Sequence, residues 1–272
     1  MLIEDKFKVK RRDFNNMRFI LASTVRNELL IHLLDNCDEL KELRESFNKP
    51  SATILHAIKE LESLDLITKN YKQYCATSKG ALYGFALDKL QKNLYLFETN
   101  REFWETHQIN SFPTEFINNA YLLNDSKFHK VNQVDLSEYI DICEKSINSS
   151  KDIGILLPIF SQGHMDIILD HVRKGNSLDL IVNDDVLKSI KKTGYFKKLI
   201  ELSDNDLIRL RKYSGDLKLF LIYGSELMMM NLFKKDGSFD DGLVIYNDTE
   251  PGVLWAREIF DFYYKNSNQI IL

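Results

Sequence analysis

The stretch NKPSATILHAIKELESLDLI, residues 48–67, carries a helical repeat with two chemically different faces. At roughly 100° per residue, Ile54, Ile58, Leu61 and Asp65 fall on one side, and the Ile and Leu positions predict a buried face. Pro50 marks the helix start, because proline lacks the N–H that the first helical position leaves unpaired. The opposite face holds small or hydrogen-bonding residues: Ala52, Thr53, His56, Lys59 and Ser63.

Two shorter helical patterns precede this stretch. In STVRNELLIHLLDN, residues 23–36, leucines at helical spacing follow Ser23 and Thr24, which are residue types that start helices. In DELKELRESFN, residues 38–48, a second apolar repeat ends at Asn48, a residue type that tolerates the left-handed conformation of a tight turn. The sequence therefore predicts a helix, a short helix and a turn that leads into the quoted stretch.

The segment that follows predicts a β-hairpin. LITKNYKQYCAT, residues 66–77, has two short β-prone runs around Asn70-Tyr71-Lys72, with Lys69 and Lys72 at or near the tip. A winged helix-turn-helix module has this order of elements, because its second helix enters a major groove while the hairpin flanks it. We therefore expect a winged helix-turn-helix domain over residues 1–80.

This order gives the polar face of the quoted helix a candidate role in binding double-stranded DNA. Small side chains there would let the helix approach base edges, and His56 and Lys59 could reach a purine or a phosphate. The competing interpretation is that any amphipathic surface helix has a polar outer face. The residues predicted to contact DNA are Lys49, Ser51, Thr53, His56, Lys59, Lys69, Tyr71 and Lys72.

The charge of the chain permits this role without requiring it. The net charge is −4, yet residues 1–80 hold fourteen Lys or Arg against twelve Asp or Glu, a local balance of +2. Such a balance predicts weak non-specific DNA affinity for one copy of the chain. A homodimer, which would double the contacts, is therefore expected.

Several segments give the chain a resemblance to a known family. Residues 23–80 look like an archaeal winged helix-turn-helix regulator, and residues 231–267 resemble the end of the domain that follows it in methanogenesis regulatory (filR-type) proteins. The most specific pieces are LESLDLI at 61–67, TSKG at 77–80, DGSFD at 236–240 and the helix-like segment 255–263.

The resemblance, which spans roughly residues 18 to 267, implies DNA-binding transcription regulation. It also implies a second domain that senses something or assembles a dimer. Asp65 departs from the pattern, since many similar helices carry Gly at that position.

A long helix is predicted after the hairpin, with Thr77 or Ser78 as its start. One stripe of this helix is apolar: Leu82, Ala86, Leu90, Leu94 and Phe97. The stripe either packs on its own domain or pairs with a partner's copy, which would supply the two-fold symmetry of palindromic DNA. We assign residues 81–118 to a connecting and dimerisation helix with a linker. INSFPTEFINN, residues 109–119, is either that linker or the first element of the next domain.

Residues 119–272 predict an α/β domain with a mixed sheet. Continuous apolar runs at 153–160 and 178–183 suggest strands covered on both faces, and they alternate with helical stretches. We expect parallel pairing first and an antiparallel meander later, with a turn at 233–239 where Asp-Gly favours positive φ. Met228-Met229-Met230 is interpreted as a core strand, because side chains alternate across a strand.

The chain carries no recognisable catalytic motif, so we expect a protein that is not an enzyme. A nucleophile elbow, a Walker loop and a dinucleotide fingerprint are all missing from the sequence. The H-x-K signature of phospholipase D is not met at His171, because Arg173 replaces the lysine and Asp179 lies one place off. No cofactor and no metal site is predicted.

The second domain is expected to bind a small molecule. Ligands in open α/β sheets sit beyond the carboxyl ends of strands, where an effector pocket would form. The residues predicted to line it are Ser161, Gln162, His164, Asn183 and Asp184. The alternative for each is a helix cap. Two functions therefore stay open: a regulator that senses an effector, and a regulator-like chain whose second domain only makes protein contacts, with a DNA-tethered enzyme third.

The three cysteines and the lack of long apolar runs indicate the cellular compartment of the protein. Cys37, Cys75 and Cys143 are widely spaced and form no C-x-x-C, so neither a disulfide framework nor a zinc site is indicated, and a reducing compartment is expected. Residues 1–14 are charged and lack the apolar core of a signal peptide, and no run approaches the length that spans a bilayer. The expected location is the cytoplasm.

Overall fold

The structure is a computed structural model that describes residues 11–109, 112–131, 137–203 and 207–272. The charged start of the chain and two residues of the predicted linker lie outside these ranges. The chain divides into two compact units, the first ending at Lys92 and the second beginning at Asn93. None of the helices in the described residues combines the length and apolar content needed to cross a lipid bilayer.

The first unit contains helices followed by a hairpin. Its elements are α1 (Arg11–Leu21), α2 (Thr24–His32), β1 (Asp38–Glu39), α3 (Leu40–Phe47), α4 (Ser51–Ser63), β2 (Ile67–Asn70), β3 (Gln73–Ala76) and the start of α5 (Ser78–Thr99). The three strands form one sheet in the order β1-β3-β2, with both pairings antiparallel. The Ser23 hydroxyl accepts a hydrogen bond from the Arg26 backbone N–H at 3.4 Å, as expected for a start signal.

The apolar face of α4 is buried as the helical repeat predicts. Ile54, Ile58 and Leu61 are 0%, 1% and 0% exposed, and they pack in one cluster with Leu29 of α2 and Leu43 of α3. The burial follows from the repeat, since three apolar side chains on one side of a helix remove their surface from water together. The same packing leaves the other face of α4 pointing to solvent.

The turns of this unit use three residues other than glycine in the left-handed region. Asn48 ends α3 with φ 46°, and Tyr71 has φ 55° in the turn between β2 and β3. Asp65 has φ 58° after α4, so it adopts the conformation that Gly provides in similar helices. Asparagine and aspartate tolerate this region better than most side chains do.

The TSKG segment completes the C-terminal end of α4. The Thr77 hydroxyl donates to the Asp65 carbonyl at 2.7 Å, and Lys79 Nζ donates to the Leu64 carbonyl at 2.6 Å. Thr77 also accepts from the Gly80 N–H at 2.9 Å, and a Cβ at Gly80 would collide with the Leu66 carbonyl. The motif therefore satisfies helix-end carbonyls that would otherwise lack partners.

The second unit is a mixed sheet with helices on both faces. Its elements after α5 are α6 (Arg101–Thr106), α7 (Thr114–Ile117), a 3-10 turn (Ala120–Leu123), β4 (Lys127–Lys130), α8 (Ser137–Ile147), β5 (Asp152–Leu157), α9 (Gln162–Arg173), β6 (Ser177–Val182), α10 (Asp184–Lys192), α11 (Tyr195–Glu201), β7 (Ile208–Lys212), β8 (Leu219–Tyr223), β9 (Met228–Leu232), β10 (Leu243–Asn247), α12 (Glu250–Lys265) and β11 (Asn268–Gln269).

The strand order is β11-β7-β6-β5-β8-β9-β10-β4. β5, β6 and β7 pair in parallel, whereas β8, β9, β10 and β4 continue as an antiparallel series. The predicted change from parallel to antiparallel pairing is therefore present. The predicted turn is present as well, with Gly237 at φ 91° between β9 and β10.

Side chains alternate between two cores on either side of this sheet. Ile155 and Met229 join the core with α8 to α11, whereas Leu156, Met228 and Met230 join the core with α12. The methionine run is thus core packing, as the alternation predicts. Four aromatic residues of the predicted connector also belong to the second core: Phe103, Trp104, Phe112 and Phe116.

The expectation that the cysteines are unpaired is wrong for two of them. Cys37 and Cys75 form a disulfide with a Cα–Cα distance of 4.6 Å. They lie next to the Asp38–Tyr74 pair of the β1–β3 ladder, which brings together positions that are 38 residues apart in the sequence. Spacing along the chain contains no sign of this pairing, because a two-residue strand creates it. Cys143 is buried and free.

Candidate nucleic-acid interface

The outer face of α4 presents the side chains that the helical repeat assigns to it. Thr53, His56 and Lys59 are exposed, and Ser51 at the start of the helix is half-buried. Pro50 immediately precedes α4, and its carbonyl accepts from the N–H groups of Thr53 and Ile54 at 3.0 and 3.2 Å. The outer side chains of α4 from Ala52 to Ser63 are therefore exposed.

A basic cleft of about 560 Å³ lies beside the turn that leads into α4. Its charged residues are Lys41, Arg44, Lys49 and Glu45, so positive groups outnumber negative ones. Such a concentration of cations around a concave surface attracts phosphate groups. Lys49 is among the residues predicted to contact DNA. Lys41 and Arg44 were not predicted, although they lie three residues apart on the preceding short helix.

An acidic residue holds His56 on this face. His56 Nδ1 lies 3.2 Å from Glu60 Oε2, and Glu60 Oε1 lies 3.0 Å from Arg26 Nη1. The Arg26 guanidinium in turn lies 3.8 Å from the centre of the Phe19 ring. This contact uses Nδ1, so the second ring nitrogen of His56 can bond a ligand while Glu60 stays in place.

The hairpin carries the remaining predicted contacts at and beside its turn. Lys69, Tyr71 and Lys72 are exposed, and Tyr71 is completely so. Lys69 Nζ lies 5.3 Å above the Tyr74 ring, which steadies the lysine stem without removing its charge from solvent. The predicted residues thus fall into two groups, one on α4 with the turn before it and one on the hairpin.

The residues predicted to bind an effector follow β5 and β6, but several already have structural roles. The Asn183 side chain accepts from the Val186 N–H at 2.8 Å and donates to the Pro158 carbonyl at 2.9 Å. Asn183 is therefore a helix cap, which is the alternative role given for these residues above. Asp184 pairs with Lys212 at 3.0 Å, while Ser161 and Gln162 stand at the start of α9.

His164 is a core residue rather than a surface one. Its ring stacks on Phe220 with centroids 4.9 Å apart, and its Nε2 lies 3.7 Å from Cys143 Sγ. Burial lowers the pKa of His164 to about 4, so the ring is neutral at physiological pH.

A cavity of about 430 Å³ in the second unit contains a buried His–Asp pair that the sequence did not reveal. His107 Nε2 donates to Asp240 Oδ2 at 3.0 Å, and Lys234 Nζ lies 3.3 Å from Asp240 Oδ1. Burial alone would raise the pKa of Asp240, but the hydrogen bond from His107 and the charge of Lys234 lower it below its ordinary value. Asp240 is therefore a carboxylate.

A second cavity, of about 560 Å³, lies at the amino ends of β5 and β6, opposite to the predicted effector position. Arg209, Arg257 and Ser225 are among its lining residues. The Arg209 guanidinium donates to both carboxylate oxygens of Asp179, at 2.7 Å for one of them. This cavity combines charges of both signs with hydroxyl groups.

Comparison with known protein families assigns the chain to a class of regulators. Residues 14–95 match the family described as "Methanogenesis regulatory protein FilR1, N-terminal domain", and residues 136–266 match "Methanogenesis regulatory protein FilR1, middle domain". The two matches together cover more than half of the chain. The chain belongs to the family of FilR1-type methanogenesis regulatory proteins.

One curated relative and two solved structures illustrate these similarities. Methanogenesis regulatory protein FilR1 of Methanothrix harundinacea (strain 6Ac) is 25% identical, and the match covers 98% of this chain but only 60% of the relative. The archaeal chromatin protein TrmBL2 is 12% identical with a TM-score of 0.43, covering 94% of this chain and 99% of that one. The phospholipase D family member Nuc from Salmonella typhimurium is 11% identical with a TM-score of 0.40, covering 54% and 100%. Neither structural similarity is high enough to define a function.

Proposed function

We propose that this protein is a DNA-binding transcriptional regulator whose first unit is a winged helix-turn-helix module. The observation that carries the proposal is the exposed polar face of α4 beside the cleft of Lys41, Arg44 and Lys49. The order of α2, α3, α4 and the hairpin supports it, as does membership of a family of regulatory proteins. Duplex DNA is the proposed partner.

Different residues would serve affinity and specificity. Thr53 and His56 lie on the exposed face of α4 and would meet base edges in the major groove. The cations of the cleft, with Lys59, would neutralise phosphates on either side. Lys69, Tyr71 and Lys72 would place the hairpin against the neighbouring backbone or minor groove.

Thr53→Ala is expected to weaken binding to a specific site by about 1–3 kcal/mol if its side chain meets a base edge. The melting temperature should change little, because Thr53 is exposed. Titration of a mapped operator and of an unrelated duplex distinguishes a contact with a base edge from a contact with the phosphate backbone. Equal losses on both sequences would show that Thr53 does not read bases.

We also propose that the protein acts as a homodimer through α5. Leu82, Phe85 and Leu90 are 75%, 57% and 44% exposed on this helix, and Ala86 is exposed between them. Of the predicted stripe, Leu94 is exposed as well, whereas Phe97 packs against the second core. A second copy of α5 would remove this apolar surface from water and supply two-fold symmetry for DNA.

Leu82→Glu is expected to convert the dimer to a monomer at micromolar concentration, since it places a charge in the proposed apolar contact. Gln91→Glu is the matched control, because Gln91 is exposed and, nine residues after Leu82, points to the opposite side of the same helix. Light scattering measures both variants. A wild-type monomer, or a Leu82→Glu dimer, would contradict the proposal.

The second unit is proposed to sense a small-molecule effector. The cavity beside Arg209 and the cavity beside Asp240 support this role. Neither is lined by the residues predicted from sequence, which are Ser161, Gln162, His164, Asn183 and Asp184. The alternative is that the unit only makes protein contacts. A metabolite fraction that changes the affinity of the regulator for DNA would favour sensing, whereas a protein partner without such an effect would favour the alternative.

A further inference from the structure

Cys37 and Cys75 join the hairpin to the segment that enters the helix pair. Cys75 lies in β3, the return strand of the hairpin, and Cys37 immediately precedes β1, which leads into α3. β1 and β3 pair through only two residue pairs, Asp38–Tyr74 and Glu39–Gln73. The disulfide therefore adds a covalent link to a short ladder.

The pair is accessible to small thiols and disulfides. Cys37 is an exposed residue and Cys75 is half-buried, so the pair lies at the surface of the first unit and not in its core. The third cysteine is unsuited to exchange: Cys143 is 0% exposed, and burial raises the pKa of its thiol to about 12. Thiol chemistry is thereby restricted to one pair of positions.

We propose that Cys37 and Cys75 form a reversible thiol–disulfide modification site, oxidised by low-molecular-weight disulfides, which regulates the DNA affinity of the first unit. The Cys37 thiolate attacks the oxidant disulfide and releases one thiolate, forming a mixed disulfide. The Cys75 thiolate then attacks the Cys37 sulfur and releases the second. Two protein thiols lose two protons and two electrons, and one oxidant disulfide becomes two thiols.

The direction of the effect follows from the position of the bond. In the oxidised state the return strand of the hairpin is tied to β1, so Lys69 and Lys72 are held on a constrained element. In the reduced state DNA must order more of the hairpin when it binds, and this ordering opposes binding. The oxidised protein is therefore expected to bind DNA roughly two- to tenfold more tightly. This effect on DNA rests on the proposed function.

Thiol counting tests the modification itself. The full-length protein is equilibrated in buffers from fully reduced to fully oxidised glutathione. It is then denatured in the presence of an alkylating reagent, and mass spectrometry counts the alkylated thiols. With three cysteines in the chain, three alkylations are expected when reduced and one when oxidised. Three alkylations in every buffer would show that the disulfide never forms. One alkylation in every buffer would show that the disulfide is never reduced. Either result overturns the proposal.

Binding to a short duplex of mixed sequence tests the regulation. Wild type should bind more tightly when oxidised, and Cys37→Ser should keep the reduced affinity in every buffer. Cys143→Ala is the matched control and should respond to glutathione as wild type does. Equal affinity of the two wild-type states would overturn the regulatory part of the proposal.

Hydrogen exchange across residues 67–76 separates this proposal from the proposed function. If neither state binds DNA, the proposed function fails, and exchange then decides whether oxidation still constrains the hairpin. Slower exchange in the oxidised state, absent in Cys75→Ser, would support the switch in the hairpin. Identical exchange in both states would overturn it.

Discussion

Alanine at Lys49, Lys59 and Lys72 together is expected to lower the affinity for duplex DNA about a hundredfold at physiological salt. All three side chains are exposed, one beside the basic cleft, one on the outer face of α4 and one on the hairpin. Each lost phosphate contact should also make the slope of log affinity against log salt shallower by about one unit. Fluorescence anisotropy over a salt series measures both quantities.

The matched control removes three exposed lysines from the second unit instead. Alanine at Lys192, Lys197 and Lys235 changes the net charge by the same amount but leaves the proposed interface intact. This variant should keep most of the wild-type affinity and the wild-type slope. Equal losses in the two variants would mean that total charge, rather than the face of α4 and the hairpin, governs binding.

Ile58→Ala is expected to destabilise the first unit by about 2–5 kcal/mol, because it removes a fully buried side chain and leaves a cavity. Such a loss is a large part of the stability of a small domain, so the variant should lose DNA binding through unfolding. A urea titration monitored by hydrogen exchange of residues 24–76 measures the unfolding of the first unit separately from that of the second unit. Thr53→Ala, on the opposite face of the same helix, should retain wild-type stability.

Ile58→Ala that melts like wild type would contradict the assignment of faces on α4. Substitutions on the two faces are therefore expected to have opposite effects on stability and on DNA affinity. Truncation of the inner face should affect folding first, and truncation of the outer face should affect DNA binding alone.

Local patterns predicted much of the fold because the interactions that form them are local. The repeat of Ile54, Ile58 and Leu61 specifies a buried face whatever the helix packs against, and a residue such as Asn48 predicts a turn through its own backbone preference. The continuous apolar runs of β5 and β6 likewise indicated strands covered on both sides. Tertiary structure then agreed with these local preferences.

The features that sequence reasoning missed depend on contacts between distant positions. The Cys37–Cys75 bond joins residues 38 apart, and the His107–Asp240 pair joins residues 133 apart. No periodicity or spacing rule relates such positions, because the sheets and turns between them bring them together. The contact between His56 and Glu60 could have been predicted from the sequence, since Glu60 lies four residues further along the same helix.

Hydrogen exchange of the full-length protein with and without duplex DNA tests the central claim most directly. The account predicts that DNA slows exchange in α4 and in the hairpin, residues 51–63 and 67–76, and in the turn that joins α3 to α4. Unchanged exchange in all three segments, under conditions where the protein binds DNA, would contradict it.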